Sequence, residues 1–172
     1  MPIAPRRAVS LALSLCLLSA CGGNRDASSG DETRAGSPTA ESTPEDPLAT
    51  ATKPRVTVPE GPPPSEFQTR DLVVGTGPEA KAGTLVTVHY VGVAFSTKRQ
   101  FDASWDRGDT FSFRLGVGDV IQGWDQGVAG MKVGGRRELI IPPALGYGDQ
   151  GAGSDIKPGE TLVFVVDLIS VR

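Results

Sequence analysis

Alternation of apolar and polar residues dominates the C-terminal part of this chain and limits the folds open to it. Within residues 85–91, Val86, Val88 and Tyr90 share one face and polar side chains occupy the other, which is the pattern of a half-buried β-strand. Glycine and proline punctuate the junctions between such segments. The same alternation recurs in residues 111–113 and 136–141, and residues 163–171 have the composition of a long final strand. These segments predict an antiparallel sheet.

A single short helix is predicted within this sheet-forming region, over about residues 121–129. Ile121 and Trp124 recur there at the spacing of one helical face. Asp119 is the expected N-cap and Gly130 the expected stop. The fold class that follows is α+β, with an antiparallel β-sheet wrapped around one short α-helix.

Two glycines make this helix unusual. Gly123 and Gly127 flank Trp124, and each costs about 1 kcal/mol of helix stability relative to alanine. Close packing or ligand access is the usual reason for such glycines. We expect them to leave the Trp124 indole uncrowded, as the floor of a pocket. The alternative is that Ile121 and Trp124 are plain core residues.

Residues 1–21 have the composition of an export signal. Arg6 and Arg7 precede an apolar run over residues 8–20, and small residues lead into Cys21. The run is shorter than the about 20 residues needed to span a bilayer. The segment resembles a bacterial lipoprotein signal peptide, which implies lipidation of Cys21. We therefore expect an exported protein, lipid-anchored to the bacterial cell membrane on its extracytoplasmic side. An ordinary secretory signal is the alternative.

Residues 22–64 are predicted to be a disordered linker. Gly, Pro, Ser, Thr and acidic residues dominate the segment, and its only larger aliphatic residues are Leu48, Val56 and Val58. A segment of this composition cannot form a core of its own. We expect a passive spacer between the anchor and one folded domain, residues 65–172.

Charge and rare residues exclude several function classes. The chain has 17 basic and 20 acidic residues and no basic stripe, so nucleic acid is not an expected partner. Cys16 would leave with the signal and Cys21 would carry lipid, so no disulfide is expected. His89 is the sole histidine, which argues against Ser-His-Asp catalysis and His-based zinc sites. We expect a monomer with no metal and no cofactor.

Six short motifs occur in a fixed order over about 105 residues, from Phe67 to Arg172. They are residues 88–92 (VHYVG), 101–104 (FDAS), 111–113 (FSF), 120–128 (VIQGWDQGV), 144–148 (ALGYG) and 162–164 (LVF). In this order they closely resemble the FKBP-type peptidyl-prolyl cis-trans isomerases. The resemblance implies an FKBP-like fold and rotation about X-Pro peptide bonds of exported polypeptides.

The resemblance also assigns roles to individual residues. Tyr147 would donate a hydrogen bond from its hydroxyl, and Ile121 from its backbone amide, to carbonyls flanking the proline. Asp102 would place a carboxylate at the edge of the cavity, paired with Arg107. Ile156 would close the far side, and Phe101 would stand at the rim. The walls and floor around the proline ring would be Tyr90, Phe111, Val120, Ile121, Trp124 and Phe164. Of all these residues, the catalytic ones would be Tyr90, Asp102, Trp124, Tyr147 and Phe164.

The chemistry requires no nucleophile. Rotation about a prolyl bond is slow because it breaks amide resonance, and an apolar cavity that removes water favours the less polar, twisted amide. Macrolides of the tacrolimus type are expected to bind the same cavity. Asp155 stands where the family usually has an apolar residue, which is expected to alter the preference for the residue before proline. The alternative function is a membrane-anchored binding or chaperone module with weak or no isomerase activity.

Overall fold

The computed structural model describes residues 52–172, which form one antiparallel sheet with two short α-helices. The strands are β1 (Gln68–Val73), β2 (Leu85–Ala94), β3 (Gln100–Ala103), β4 (Phe111–Arg114), β5 (Arg136–Ile141) and β6 (Leu162–Val171). The helices are α1 (Ser104–Arg107) and α2 (Gln122–Gly127). This arrangement confirms the predicted fold class. The predicted signal peptide, Cys21 and residues 22–51 of the predicted linker lie outside the described residues.

The sheet is built around the two long strands β2 and β6. Its strand order is β1-β5-β6-β2-β3, and β4 also pairs with β2. One half of β2 pairs with β4 from Leu85 to Val88, and the other half pairs with β3 from Val91 to Val93. Helix α1 lies in the chain between β3 and β4. Both short strands therefore follow the same edge of β2, and α1 bridges the gap between them.

Helix α2 lies against β5 because its glycines allow close contact. A Cβ atom added at Gly123 would lie 2.5 Å from Ile141 Cγ2, and one at Gly127 would lie 2.6 Å from Leu139 Cδ2. A side chain at either position would have to displace the side chain of Ile141 or Leu139. Of the two reasons considered for these glycines, the structure supports close packing.

The ends of α2 differ from the prediction. Ile121 occupies the N-cap position, and no side chain caps the helix. The Asp119 carboxylate instead accepts a hydrogen bond of 3.3 Å from the backbone N–H of Arg114. The preceding turn is held by Asp125, which accepts hydrogen bonds from the N–H groups of Gly116 and Gly118 at 2.8 and 3.0 Å.

Side chains of β6 alternate between two cores. Leu162, Phe164, Val166 and Leu168 belong to the larger core, which also contains Trp124. The outer face of the sheet carries a smaller core that includes Val91, Val93, Phe95, Ala103, Ile140 and Val163. Both faces of this strand therefore carry apolar side chains, as expected for a strand that is covered on both sides.

Residues 52–64 pack along this outer face, and we call them the strap. They contain no helix or strand, yet Val58 is only 8% exposed and belongs to the smaller core. Ion pairs of 2.6 Å join Lys53 to Asp106 and Glu60 to Lys98. The strap was predicted to be part of the linker, and here the structure differs from the prediction. The packed unit begins before residue 65.

Two negative findings apply to residues 52–172. No helix there combines the length and the apolar character needed to cross a membrane. The same residues hold no group of three or more His, Cys, Asp or Glu side chains that could bind a metal ion.

Candidate active site

Aromatic rings surround Trp124 at the centre of the larger core. The ring centroids of Tyr90 and Phe164 lie 5.1 and 5.2 Å from the indole, with interplanar angles of 80° and 86°. Phe113 and Phe111 follow at 5.6 and 6.0 Å. Edge-to-face pairs of this kind contribute about 0.5–1.5 kcal/mol each beyond their area burial. The buried rings of Tyr90, Phe113, Trp124 and Phe164 therefore form a rigid apolar platform, and the partly buried Phe111 packs against it.

Trp124 has no exposed surface. We expected an uncrowded indole, and the structure shows the opposite, because Gly123 and Gly127 bring α2 onto Ile141 and Leu139 rather than opening a space. The indole Nε1 is buried and has no hydrogen-bond partner within residues 52–172. An unpaired buried donor costs about 1–3 kcal/mol. The tight ring packing outweighs that cost.

A partly exposed layer covers the platform. It consists of predicted site residues that the fold brings together from four separate segments: Phe101, Phe111, Val120, Ile121 and Tyr147, all partly buried and packed on the larger core. Ile156 is buried in the same core and is held by a backbone bridge to Ala152.

Gly92 allows two of these rings to meet, although no role was predicted for it. A Cβ atom there would lie 2.7 Å from Phe101 Cζ and 2.7 Å from Phe164 Cε1. With glycine, the two rings pack edge to face at 5.5 Å. A glycine inside a strand pattern often marks such a close approach, so the signal was present in the sequence.

Asp102, Tyr90 and Arg107 form a closed polar network beside the rings. The Asp102 carboxylate accepts a hydrogen bond of 2.5 Å from the Tyr90 hydroxyl and a second from Arg107. Arg107 also donates to the Tyr90 hydroxyl oxygen at 2.9 Å. The predicted pairing of Asp102 with Arg107 is present, and Tyr90 completes it. Burial, followed by the hydrogen bond to Asp102, raises the pKa of Tyr90 to about 12, so Tyr90 is a neutral donor at neutral pH.

Helix α1 places Arg107 within reach of Asp102. The helix follows β3 directly and ends at Gly108, whose φ of 65° gives the left-handed C-cap conformation. Ser104 fixes its start, because its buried hydroxyl accepts a hydrogen bond of 2.9 Å from the Tyr90 backbone N–H. No role was predicted for Ser104. A serine at the start of a helix is a common capping signal, although here it bonds a neighbouring strand.

Two hydrogen-bond donors of the site are unused within residues 52–172. They are the Tyr147 hydroxyl and the Ile121 backbone N–H. Burial and then the negative charge of Asp102 raise the pKa of Tyr147, so its hydroxyl keeps its proton. The arrangement therefore offers two neutral donors at the edge of an apolar ring cluster, with no nucleophile activated by a base.

Comparison with known proteins agrees with this geometry. Residues 77–169 match the family model of the FKBP-type peptidyl-prolyl cis-trans isomerases. The chain is 62% identical over 120 residues to the FK506-binding protein of Streptomyces anulatus, covering 69% of this chain and 97% of that protein. It is 52% identical over 118 residues to a probable FK506-binding protein of Corynebacterium glutamicum, covering 69% and 98%. The crystal structure of AtFKBP13 is similar with a TM-score of 0.56 at 43% identity, covering 64% of this chain and 96% of that one. The chain belongs to the FKBP family and is a peptidyl-prolyl cis-trans isomerase.

Proposed function

We propose that this isomerase holds the proline ring of its substrate against the aromatic platform and turns the preceding peptide bond in a dry environment. The observation that carries the proposal is the pair of unused donors, the Tyr147 hydroxyl and the Ile121 N–H, beside rings that exclude water. A substrate carbonyl on either side of the proline would accept from them. Proline-containing polypeptides are therefore the substrate class.

The energetic demand on such a site is modest. The uncatalysed barrier is about 18–20 kcal/mol, and an acceleration of a thousandfold to a millionfold requires about 4–8 kcal/mol of transition-state stabilisation. The planar amide is more polar than the twisted one, so removal of water disfavours the ground state. Two hydrogen bonds that hold the substrate during rotation add to this effect.

Asp102 contributes by position rather than by proton transfer. Its side chain is 8% exposed, and it is already bonded to Tyr90 and Arg107. We propose that this network fixes the Tyr90 ring as one wall of the site and places a negative charge at its edge. Phe164 and Trp124 form the remaining apolar surface, with Phe111, Val120 and Ile156 around it.

Substrate binding must displace part of the covering layer, because Trp124 itself has no exposed surface. The residues best placed to move are those that are already partly exposed, Ile121 and Tyr147 among them. Tyr147 lies between two short 3-10 turns, Pro143–Leu145 and Gly148–Gln150. Such turns are held by fewer hydrogen bonds than the sheet, so they can shift while the platform stays in place.

A protease-coupled assay on a proline tetrapeptide tests the proposal. The protein would be the chain from Gly22 to Arg172, which keeps all described strands and both cores. We expect Trp124→Leu to lower kcat/KM about tenfold or more, and the matched control Trp105→Phe, in the smaller core, to leave it near the wild-type value. Equal activity in wild type and Trp124→Leu would show that the site is placed wrongly.

FK506 provides a second readout on the same protein. The relatives from Streptomyces and Corynebacterium are FK506-binding proteins by name, and we propose that this chain also binds the macrolide, in competition with peptide. Competitive inhibition of the isomerase would support one shared site. Tight binding of FK506 by a protein with no measurable isomerase activity would instead favour the binding-module alternative.

We further propose that the protein is exported and anchored through lipid on Cys21, so that its substrates are exported polypeptides. The support is the sequence alone, with Arg6 and Arg7 before an apolar run and small residues before the cysteine. Metabolic labelling with a clickable fatty acid should mark the wild type in the membrane fraction and leave Cys21→Ala unlabelled. Equal labelling of both, or wild type confined to the cytoplasm, would refute the anchor.

A further inference from the structure

A polar cleft adjoins the candidate site at Phe101. The turn after β2 supplies Arg99 to one side, and the loop between Gly148 and Thr161 supplies Asp155 and Lys157 to the other. We call it the rim cleft. Its volume is about 210 Å³, below the about 300–1,000 Å³ of sites that enclose a drug-sized ligand. It has room for one side chain rather than for a separate small molecule.

Phe101 connects the rim cleft to the aromatic platform. Its ring packs on Phe164 at 5.5 Å and also lines the cleft. An extended chain advances about 3.3–3.6 Å per residue. A peptide with its proline on the platform therefore brings a residue one or two positions away into the rim cleft.

The two sides of the cleft are held at a fixed separation. Glu160 is buried and accepts hydrogen bonds from the backbone N–H and the hydroxyl of Ser96, at 2.8 and 2.7 Å. Ser96 belongs to the turn that carries Arg99, and Glu160 closes the turn that begins at Lys157, through a backbone bond of 3.2 Å. The cleft is thus formed before a ligand arrives, which lowers the entropy lost on binding.

The charges in the cleft are free to meet a substrate. Within residues 52–172, the side chains of Arg99, Lys157 and Asp155 have no ion-pair partner, whereas the neighbouring Lys98 is paired with Glu60 at 2.6 Å. Two cations against one anion give the cleft a net positive charge. An acidic side chain could meet both cations, while a basic one could meet only Asp155.

We propose that the rim cleft is a specificity subsite that selects an acidic side chain one or two residues from the isomerised proline. The inference rests on the proposed function, because it requires the proline to bind beside Phe101. Exposed ion pairs of this kind alter binding by about 1.4- to 5-fold each. Two such pairs lead us to expect a preference for glutamate over lysine of about 2- to 25-fold in kcat/KM at low ionic strength.

The test uses the chain from Gly22 to Arg172 and peptides that carry Glu, Ala or Lys at each position up to two residues from proline. The Glu-to-Lys ratio of kcat/KM is measured at low salt and again at high salt, where screening should reduce it. Variants are Arg99→Gln with Lys157→Gln, which should bring the ratio near one, and Arg99→Glu with Lys157→Glu, which should invert it. Lys132→Gln, an exposed cation outside the cleft, is the matched control and should keep both the ratio and the activity.

The outcomes separate the subsite from the function. A wild-type Glu-to-Lys ratio of kcat/KM above about two that inverts in the Glu variant supports the subsite, and misfolding cannot produce such an inversion. Normal turnover of the Ala peptides with a ratio near one at every position, or a ratio that the Glu variant does not change, overturns the subsite and leaves the isomerase function intact. Failure to turn over any peptide overturns the proposed function and the subsite with it.

Discussion

Gly123→Ala is the most direct test of why α2 tolerates its glycines. The added Cβ would lie 2.5, 2.7 and 2.9 Å from three carbons of the Ile141 side chain. Strand β5 cannot yield easily, because it is paired on both edges by β1 and β6. Overpacking of a tight core costs about 1–3 kcal/mol, and alanine returns about 1 kcal/mol of helix propensity. We expect a net loss of up to about 2 kcal/mol of unfolding free energy.

Equilibrium urea unfolding of the chain from Gly22 to Arg172 measures this loss. Ile141→Val removes a methyl group from the clash and by itself costs about 0.5–1.5 kcal/mol. In the double variant the two changes should partly compensate, with a favourable coupling of about 0.5 kcal/mol or more. If Gly123→Ala is more stable than wild type, helix propensity dominates and the packing argument is refuted.

Three further predictions follow from named contacts. Burial raises the pKa of Tyr90 from 10.0 to about 12, so its neutral form stabilises the fold fully below about pH 10, and this contribution is lost as the pH rises through 12. The midpoint of urea unfolding should therefore fall more steeply between these pH values in wild type than in Tyr90→Phe. Parallel curves for the two proteins would contradict this prediction. Val58→Ala should lower the free energy of unfolding by about 1–2 kcal/mol. The loss should be smaller for Val56→Ala, because Val56 is a less buried residue of the strap. Equal stability of wild type and Val58→Ala would show that the strap does not pack on the sheet. Tyr147→Phe should lower kcat/KM about 2- to 10-fold, the loss of one hydrogen bond, with an unchanged circular dichroism spectrum; full activity would remove Tyr147 from the mechanism.

Local pattern was sufficient to predict the sheet. Alternation is strong in residues 85–91, and residues 163–171 are largely apolar on both faces because that strand is covered on both sides. The structure places strands at both segments. The helix was predicted at about residues 121–129, and α2 runs from Gln122 to Gly127. The prediction of Asp119 as its N-cap was wrong. An aspartate can bond either a helix N-terminus or a neighbouring turn, and only the tertiary fold decides between them.

The strap could not be predicted, because its packing depends on a surface formed elsewhere in the chain. Val58 has too few apolar neighbours in sequence to indicate a core. It is buried by side chains of β2, β5 and β6, which become adjacent only after the sheet has formed. Composition therefore correctly indicated that the segment lacks a core of its own, but it did not show that the segment can add to another one.

The burial of Trp124 connects packing to the way the site can work. Gly123 and Gly127 hold α2 so close to β5 that the indole is locked among the surrounding rings. A platform locked in this way is already dry, so binding needs to remove water only from the covering layer and from the substrate. Val120, Ile121 and Tyr147 of that layer belong to turns and loops, as do Arg99, Asp155 and Lys157 of the rim cleft. Such segments can change in sequence without disturbing the sheet. The platform should therefore set the reaction, and residues such as Asp155 and Arg99 should set the choice of substrate.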